Sequence, residues 1–548
     1  MAIKITCPYC FREFNDNQVH FRSSYVNTGA RKIAGPDGQL FDSISEMEMS
    51  YGDEDKAAVA QIVHEYKESS FYNPVSSDKE YDAFWKKFGG TTTEVDSVNK
   101  DRNKKLMYRK VIDPSDIQHQ KHLVKQKNGD YLIRDPELKN MVTSIRLVDG
   151  DKSQTSMRVC PFCHNPLPDV YGLYPVEFIS VIGIVGAGKT VFLSQFMNGF
   201  RDYATECGLT AIKSTASITQ FLENNRVKEG MPLPPPTAEG RFEQPLIYNI
   251  ERTSENNSKE TVTIVMYDIA GEVFKNAKAQ SVKDFAPFIK KSDGIILLID
   301  PKQFESIQGT QFFESSNNQE DIQKPSDALE NIHSVIMESD HKYDKPLAVC
   351  VSKMDGITEY LSRELIDYIS TPYTGEEIKG TYLNKQIFNM QAHKAYDRAM
   401  AEFIAHNDKA TMQQLSTGYT NYKFFGITAL GLNAEVMADK KVSGHIQARR
   451  IEEPILWMLS QVGLICSNEA ECPYCHQRDA FVSHRSWNIQ IKKEVETKKL
   501  HFISKKEEVL VDVEVNCRCK CCGIAFYYDA YSDQSFAYKG EWKMNGGV

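Results

Sequence analysis

"EFISVIGIVGAGKTVFLSQFMNGF", from Glu177 to Phe200, runs from an apolar stretch through a glycine-rich turn into an amphipathic segment. Phe178 to Ile182 is short and apolar, which suits a buried strand. Beyond the turn, Val191, Phe192, Phe196 and Met197 carry the apolar face of a helix. Between them Gly183–Thr190 reads G-x-x-x-x-G-K-T in the strand–loop–helix context that the pattern requires. The glycines let backbone N–H groups close around an anion at the helix N-terminus. The site predicted for a phosphate chain is Gly183, Gly186, Ala187, Gly188, Lys189, Thr190 and Val191. Lys189 would neutralise β- and γ-phosphates, and the Thr190 hydroxyl would bind Mg2+.

Such a loop does not choose a base, so the downstream sequence matters. "TVTIVMYDIAGEVF" reads as a strand, Thr261 to Tyr267, followed by Asp268, Gly271 and Glu272. An acid at a strand's C-terminal end can hold Mg2+ through water, and Gly271 offers a close N–H to the γ-phosphate. "DGIILLIDP" (Asp293–Pro301) reads as a buried parallel strand. "KPLAVCVSKMDG" is another, ending in Ser352, Lys353 and Asp355. The Asp355 carboxylate can accept from guanine N1–H and the 2-amino group, whereas adenine would leave it unpaired. "KFFGITALG" closes a further strand at Thr428, Ala429 and Leu430, where a backbone N–H can reach guanine O6. Strands alternating with helices predict a doubly wound α/β domain.

In this order the four elements resemble the TRAFAC-class P-loop GTPases, with a P-loop, D-x-x-G, [NTS]-K-x-D and S/T-A-L/K, over about residues 177–462. A cysteine knuckle before the P-loop and the Pro-rich "MPLPPPTAEG" look like bacterial double-GTPase-type proteins, which are associated with paired GTPases in conflict or defence systems. Ser352 departs from the commoner Asn of the base motif. The resemblance implies GTP/GDP and Mg2+ as cofactors, with water attacking the γ-phosphate. It carries the switch threonine, which also holds Mg2+, onto Thr237, although Ser214, Thr215, Ser217 and Thr219 offer rival hydroxyls. Glu272 stands where Ras-like relatives place a water-orienting glutamine, so Lys189, Thr237 and Glu272 are the catalytic candidates. Arg226 and Arg241 flank Thr237 without the usual spacing of a cis arginine. Slow turnover, hastened by self-association or a second GTPase, is the expectation.

Ten of the thirteen cysteines cluster: Cys7, Cys10, Cys160, Cys163, Cys472, Cys475, Cys517, Cys519, Cys521 and Cys522. Pairs at C-x-x-C spacing in a reducing compartment are more often metal ligands than disulfides. "CPYCFREF" at Cys7 and "CPFCHNPL" at Cys160 are one knuckle written twice, so a single zinc ribbon split by an insertion is predicted. His164 is a spare ligand. A second zinc is expected on Cys472, Cys475, Cys519 and Cys522, with Cys517 and Cys521 left as alternatives in the same run.

At 548 residues the chain is too long for one core. The division expected is a split ribbon (1–16 and 155–170), an inserted accessory domain (17–154), the P-loop domain (171–465) and a C-terminal ribbon (466–548). No apolar run approaches the roughly 20 residues that span a bilayer, and "MAIKITCPYC" lacks a signal peptide's apolar core. A cytoplasmic protein without membrane contact is the expectation. Net charge of −9 gives no general attraction to nucleic acid, although "KKEVETKKLHFISKK" is a local basic stretch. Two other functions stay open: an interaction module held together by nucleotide without turnover, and a P-loop ATPase acting on nucleic acid through its ribbons.

Overall fold

The computed structural model describes residues 3–24, 33–41, 44–89, 108–148, 154–206, 208–235, 242–253, 259–270, 273, 280–308, 323–336, 342–371, 387–467, 470–477, 480–498, 504–519, 521–529 and 534–538. The chain forms two compact units, Met1–Pro175 and Val176–Val548.

The second unit is built on a seven-stranded sheet. Its elements in chain order begin with β1 (Val176–Gly183), α1 (Lys189–Glu206), β2 (Leu209–Lys213), α2 (Ala216–Asn224), β3 (Leu246–Thr253) and β4 (Lys259–Ala270). Then come α3 (Gln280–Lys290), β5 (Gly294–Ile299), α4 (Pro325–Ile336), β6 (Leu347–Val351) and α5 (Arg363–Ser370). The series closes with α6 (Met390–Asn407), α7 (Lys409–Gly418), β7 (Tyr422–Gly426) and α8 (Glu453–Gln461). The strands lie in the order β2-β3-β4-β1-β5-β6-β7. β4, β1, β5, β6 and β7 are parallel, whereas β3 runs antiparallel to both β2 and β4.

Sequence explains this layering. β5 and β6 are unbroken apolar runs buried at every position, as central parallel strands are when helices cover both faces. α1 packs Phe192, Phe196 and Phe200 in a row, and Phe200 meets Tyr248 of β3 edge-on at 4.9 Å. After β1 the chain travels to one side of the sheet, returns to β4 beside β1, and then crosses to β5 on the other side. The C-terminal end of β1 is therefore a topological switch point, where sheets of this kind bind ligands. α8 is buried along its whole length, with Pro454 in its first turn, where a missing N–H costs nothing. Trp457 and Met458 of α8 are core residues.

By sequence, "SWNIQIKKEV", "LHFISKK" and "EEVLVDVEV" read as short strands with partial alternation. Instead β8 (Ala480–Lys498) and β9 (Ser504–Cys519) make one long antiparallel hairpin, continued by β10 (Ala525–Asp529) and β11 (Gln534–Phe536). Trp487, Ile489 and Ile491 face Val515, Val513 and Val511 across the ladder, so the period of two puts the apolar residues on one face. Lysines and glutamates break the apolar alternation of "KKEVETKK", but cross-strand pairing carries both strands through them.

In the first unit the inserted segment does not stand apart from the cysteine knuckles. His20–Arg22 pairs with Arg158–Val159, and Val111–Ile112 completes that sheet. Arg22 is fully buried and reaches Asp78 at 2.9 Å and the His164 carbonyl at 3.1 Å, while Trp85 Nε1 donates to Asn165 Oδ1. A buried arginine with its carboxylate is costly to break, so these contacts tie the insertion to the knuckles. No helix among the described residues is long and apolar enough to cross a membrane.

Candidate functional site

A cavity of about 750 Å3 opens beside Gly183, the last residue of β1. The glycine-rich loop supplies its floor: Gly183, Gly186, Ala187, Gly188, Lys189, Thr190 and Val191 all line it. Gly186 and Gly188 take φ of 77° and 73°, a left-handed conformation that a Cβ would oppose. Lys189 and Thr190 are almost wholly buried. The Lys189 ammonium is ion-paired with Asp268 of β4, a carboxylate that is itself 3% exposed. Apart from that pair, neither Asp268 oxygen accepts a hydrogen bond among the described residues. Asp268 was expected just after a strand ending at Tyr267. The strand runs on to Ala270, because residues 267–270 keep pairing with β1.

The opposite wall comes from the ends of β6 and β7. Ser352, Lys353, Asp355, Ala429 and Leu430 line the same cavity. Ser352 is buried, and both its N–H and its hydroxyl donate to the Ile299 carbonyl. Lys353 adopts φ 52° and passes its stem over Gly188: a Cβ on that glycine would stand 3.5 Å from Lys353 Cε. Its ammonium meets Asp300 Oδ2 at 2.9 Å. Burial pushes the Asp355 carboxyl above its ordinary value, and a hydrogen bond from Thr428 opposes the shift. Thr428 Oγ1 in turn accepts from Gly431 N–H at 2.9 Å, which leaves the hydroxyl proton for Asp355. A half-desolvated carboxylate facing a cavity favours a ligand that brings N–H donors to it.

Against known proteins, residues 177–405 match the family model described as Double-GTPase 2. Over that segment the chain is similar to P-loop domains of the double-GTPase type. Solved structures with some likeness include sup35 complexed with GDP, at 13% identity and TM-score 0.21, covering 52% of this chain and 45% of that one. Another is the S. cerevisiae Ski7 GTPase-like domain bound to GTP, at 14% identity and TM-score 0.21, covering 52% and 50%. The chain spans about half the length of these solved chains. No curated protein matches it.

In this P-loop domain several expected residues fall elsewhere. Thr237, Arg241, Gly271 and Glu272 lie outside the described residues. Leu233 and Pro234, just before Thr237, line the cavity. The rival hydroxyls of Ser214, Thr215, Ser217 and Thr219 do not, and Thr215 and Ser217 are hydrogen-bonded to each other at 2.6 Å. Arg226 is exposed and away from the cavity lining. Sequence reasoning missed the rest of the rim. Gly230 and Leu233 donate their N–H groups to Val442 and Lys440 carbonyls, and Val442 returns one to Met231. The Pro-rich segment thereby joins the Ala434–Val436/Val442–Gly444 hairpin beside Leu432, Ala434 and Val436 of the cavity. Nothing in "MPLPPP" signals that partner, which lies some two hundred residues downstream.

The cysteines gather in two groups. Cys7, Cys10, Cys160 and Cys163 come together in the first unit, with Cys7–Cys163 and Cys10–Cys160 sulfur distances of 3.7 Å. Cys472, Cys475, Cys519 and Cys522 do so in the second, at 3.7 and 3.5 Å. Sulfurs about 2.3 Å from a tetrahedral Zn2+ would lie about 3.8 Å apart, so both sets fit that ion. All four knuckles share one backbone: the residue after the second cysteine is left-handed and donates to the first cysteine's carbonyl. Phe11, His164, His476 and Gly523 hold that place. Gly523 N–H donating to the Cys519 carbonyl marks Cys519 and Cys522 as the knuckle. Cys517 is buried in β9, and Cys521 is exposed. In the first group burial pushes the Cys7 thiol up, while hydrogen bonds from Cys160 hold Cys10 well below the usual thiol value. Four sulfurs this close share protons unless a cation replaces them. The four sulfurs make up the first group without His164, whose Nδ1 is 2.7 Å from Asp78. Cys350 is a buried residue of β6; Cys207 lies outside the described residues, as does the Cys466 side chain.

Proposed function

We propose that the double-GTPase-type domain is a GTP-binding and GTP-hydrolysing switch, and that each cysteine group holds one structural zinc. The observation that carries the first part is the convergence of the glycine-rich loop, Lys353 with Asp355, and Ala429 with Leu430 on one cavity of about 750 Å3. Phosphate at the loop places the base toward Asp355, whose carboxylate accepts two guanine N–H groups. The backbone near Ala429 and Leu430 meets guanine O6. Lys189 leaves Asp268 to neutralise the phosphates. The Thr190 hydroxyl and the Asp268 carboxylate are hard oxygen donors and would hold Mg2+, which supplies charge neutralisation at the γ-phosphate. Thr237 would complete that set and sense the γ-phosphate. Glu272 follows the D-x-x-G glycine and would face the attacking water, where its charge needs a cation to screen it.

No arginine among the described residues lines the cavity. An arginine or lysine from a second copy or a second GTPase would meet that need, and such a finger is worth roughly 10³–10⁵ in rate. A role beside a partner GTPase in a bacterial conflict or defence system follows from the resemblance. Single-turnover hydrolysis of GTP at increasing protein concentration tests the reading. Slow turnover that rises with concentration or with partner supports it. Fast turnover independent of concentration, surviving Arg226→Ala and Arg241→Ala, refutes the supplied finger. Tight GTP binding with no hydrolysis under any condition would leave the interaction-module reading.

A further inference from the structure

We propose that Gln303 and Gln323 are positioning residues of the phosphate loop, holding Val185 so that the Gly186 N–H faces the bound phosphates. The proposal rests on the nucleotide reading above. Val185 donates its N–H to Gln323 Oε1 at 3.0 Å, and its carbonyl accepts from Gln303 Nε2 at 3.3 Å. The two glutamines are joined, since Gln323 N–H donates to Gln303 Oε1 at 3.2 Å. Both are buried, at 8% and 5% exposure, and neither lines the cavity. They grip the loop from behind.

Peptide planarity turns this grip into an aim. Across a trans peptide the carbonyl of one residue and the N–H of the next point in opposite directions. With the Val185 carbonyl tied to Gln303, the Gly186 N–H must point away from Gln303, and Gly186 lines the cavity. The preceding peptide obeys the same rule: Val185 N–H goes to Gln323 while the Ile184 carbonyl accepts from Ala187 N–H at 3.0 Å. Two consecutive peptides are thus fixed before any ligand arrives. Donors aimed in advance cost no reorganisation on binding.

Sequence around the glutamines explains why they can hold still. Asp300 caps the turn Pro301–Gln303, accepting from Lys302 N–H through its side chain at 3.0 Å and from Gln303 N–H through its carbonyl at 2.9 Å. The same Asp300 holds the Lys353 ammonium over the loop. Ser352 spends its hydroxyl on the Ile299 carbonyl and does not reach the loop. The loop's side-chain tether therefore comes from the segment after β5, not from the base motif.

Gln303→Met and Gln323→Met keep length and remove the hydrogen bonds. Displacement of a fluorescent GTP analogue should show each variant binding GTP up to about tenfold more weakly, the upper end of the scale for one lost neutral hydrogen bond. The GTP-to-ATP preference should not move, because Asp355 is untouched. Amide exchange at Val185 should speed up in Gln323→Met without change in β5 or β6. Affinity within about twofold of wild type in both variants overturns the proposal, as does a changed base preference. A wild type that binds no nucleotide overturns the nucleotide reading and this proposal with it. Should the methionine variants unfold, Gln323→Glu and Gln303→Glu decide. Both add one charge, but the first still accepts the Val185 N–H, whereas the second loses the donor to the Val185 carbonyl. Gln303→Glu must then bind more weakly; equal affinities overturn the proposal.

Discussion

Asp355→Asn is the sharpest test of what the cavity selects. Hydrogen bonds to a charged acceptor are worth about 1.5–3 kcal/mol each. Two from guanine therefore set a scale of about 3–6 kcal/mol, and the lower end applies because Asp355 is only partly buried. The asparagine oxygen can still accept one N–H, but its own NH2 then confronts the second guanine donor. A loss of about 3 kcal/mol is expected, or about a hundredfold in GTP affinity. Xanthine nucleotides, with an acceptor in place of the 2-amino group, should bind better to the variant than to wild type.

The same carboxylate gives the experiment its internal control. Burial raises the folded-state pKa of Asp355 above its ordinary 3.8, so the empty folded protein holds that proton more tightly than the unfolded chain. The sign follows: its contribution to stability falls as pH rises from the ordinary value through the raised one. Removing the charge should leave the empty protein's melting temperature unchanged or higher, while GTP binding weakens. Wild-type GTP affinity should fall on acidification, starting above the usual carboxylate range, and Asp355→Asn should flatten that dependence. Titrations with GTP, ATP and XTP at several pH values read all of this. Equal wild-type affinity for GTP and ATP, or an unchanged GTP affinity in Asp355→Asn, would refute the assignment.

Lys189→Met should destabilise the empty protein by about 3–5 kcal/mol, because it strands the buried Asp268 charge. Adding Asp268→Asn should restore the melting temperature but not nucleotide binding; a single variant as stable as wild type would contradict the buried pair. Metal analysis should find about two zinc ions per chain, with Cys7→Ser and Cys160→Ser each releasing the same one. Release by one of these substitutions and not the other would break the shared site, and Cys521→Ser should release none.

Much of the fold was legible because its central strands are continuous apolar runs and its loop carries glycines with a lysine and threonine. The C-x-x-C spacing likewise announced the knuckles, since the same local backbone repeats at each of them. The failures were non-local. The long β8–β9 hairpin was read as fragments because lysines and glutamates break its apolar alternation, and only pairing with the partner strand carries it through them. Gln303 and Gln323 carried no signal, being ordinary polar residues twenty positions apart whose role appears only when both reach Val185. Whether Cys517, Cys519 or Cys521 joined the second group depended on one carbonyl and one left-handed glycine, a choice made by backbone geometry and not by spacing.

At the glycine-rich loop the cavity's charges are already paired. Lys189 and Asp268 neutralise each other in a place where either alone would be costly, which keeps the loop ready without a ligand. On the proposed reading a triphosphate would change the arithmetic, because it would draw Lys189 away and leave Asp268 facing added negative charge. Asp268 then needs a new cation, and its oxygens, with no other donor among the described residues, are free to take one. Phosphate and divalent cation would then depend on each other through a single carboxylate, and by linkage each would raise the affinity of the other. The β4 strand that carries Asp268 ends at Ala270, on the cavity, immediately before Gly271 and Glu272. Exchange of partners at Asp268 is accordingly the event through which this fold would tell the segment beyond β4 that a triphosphate has arrived.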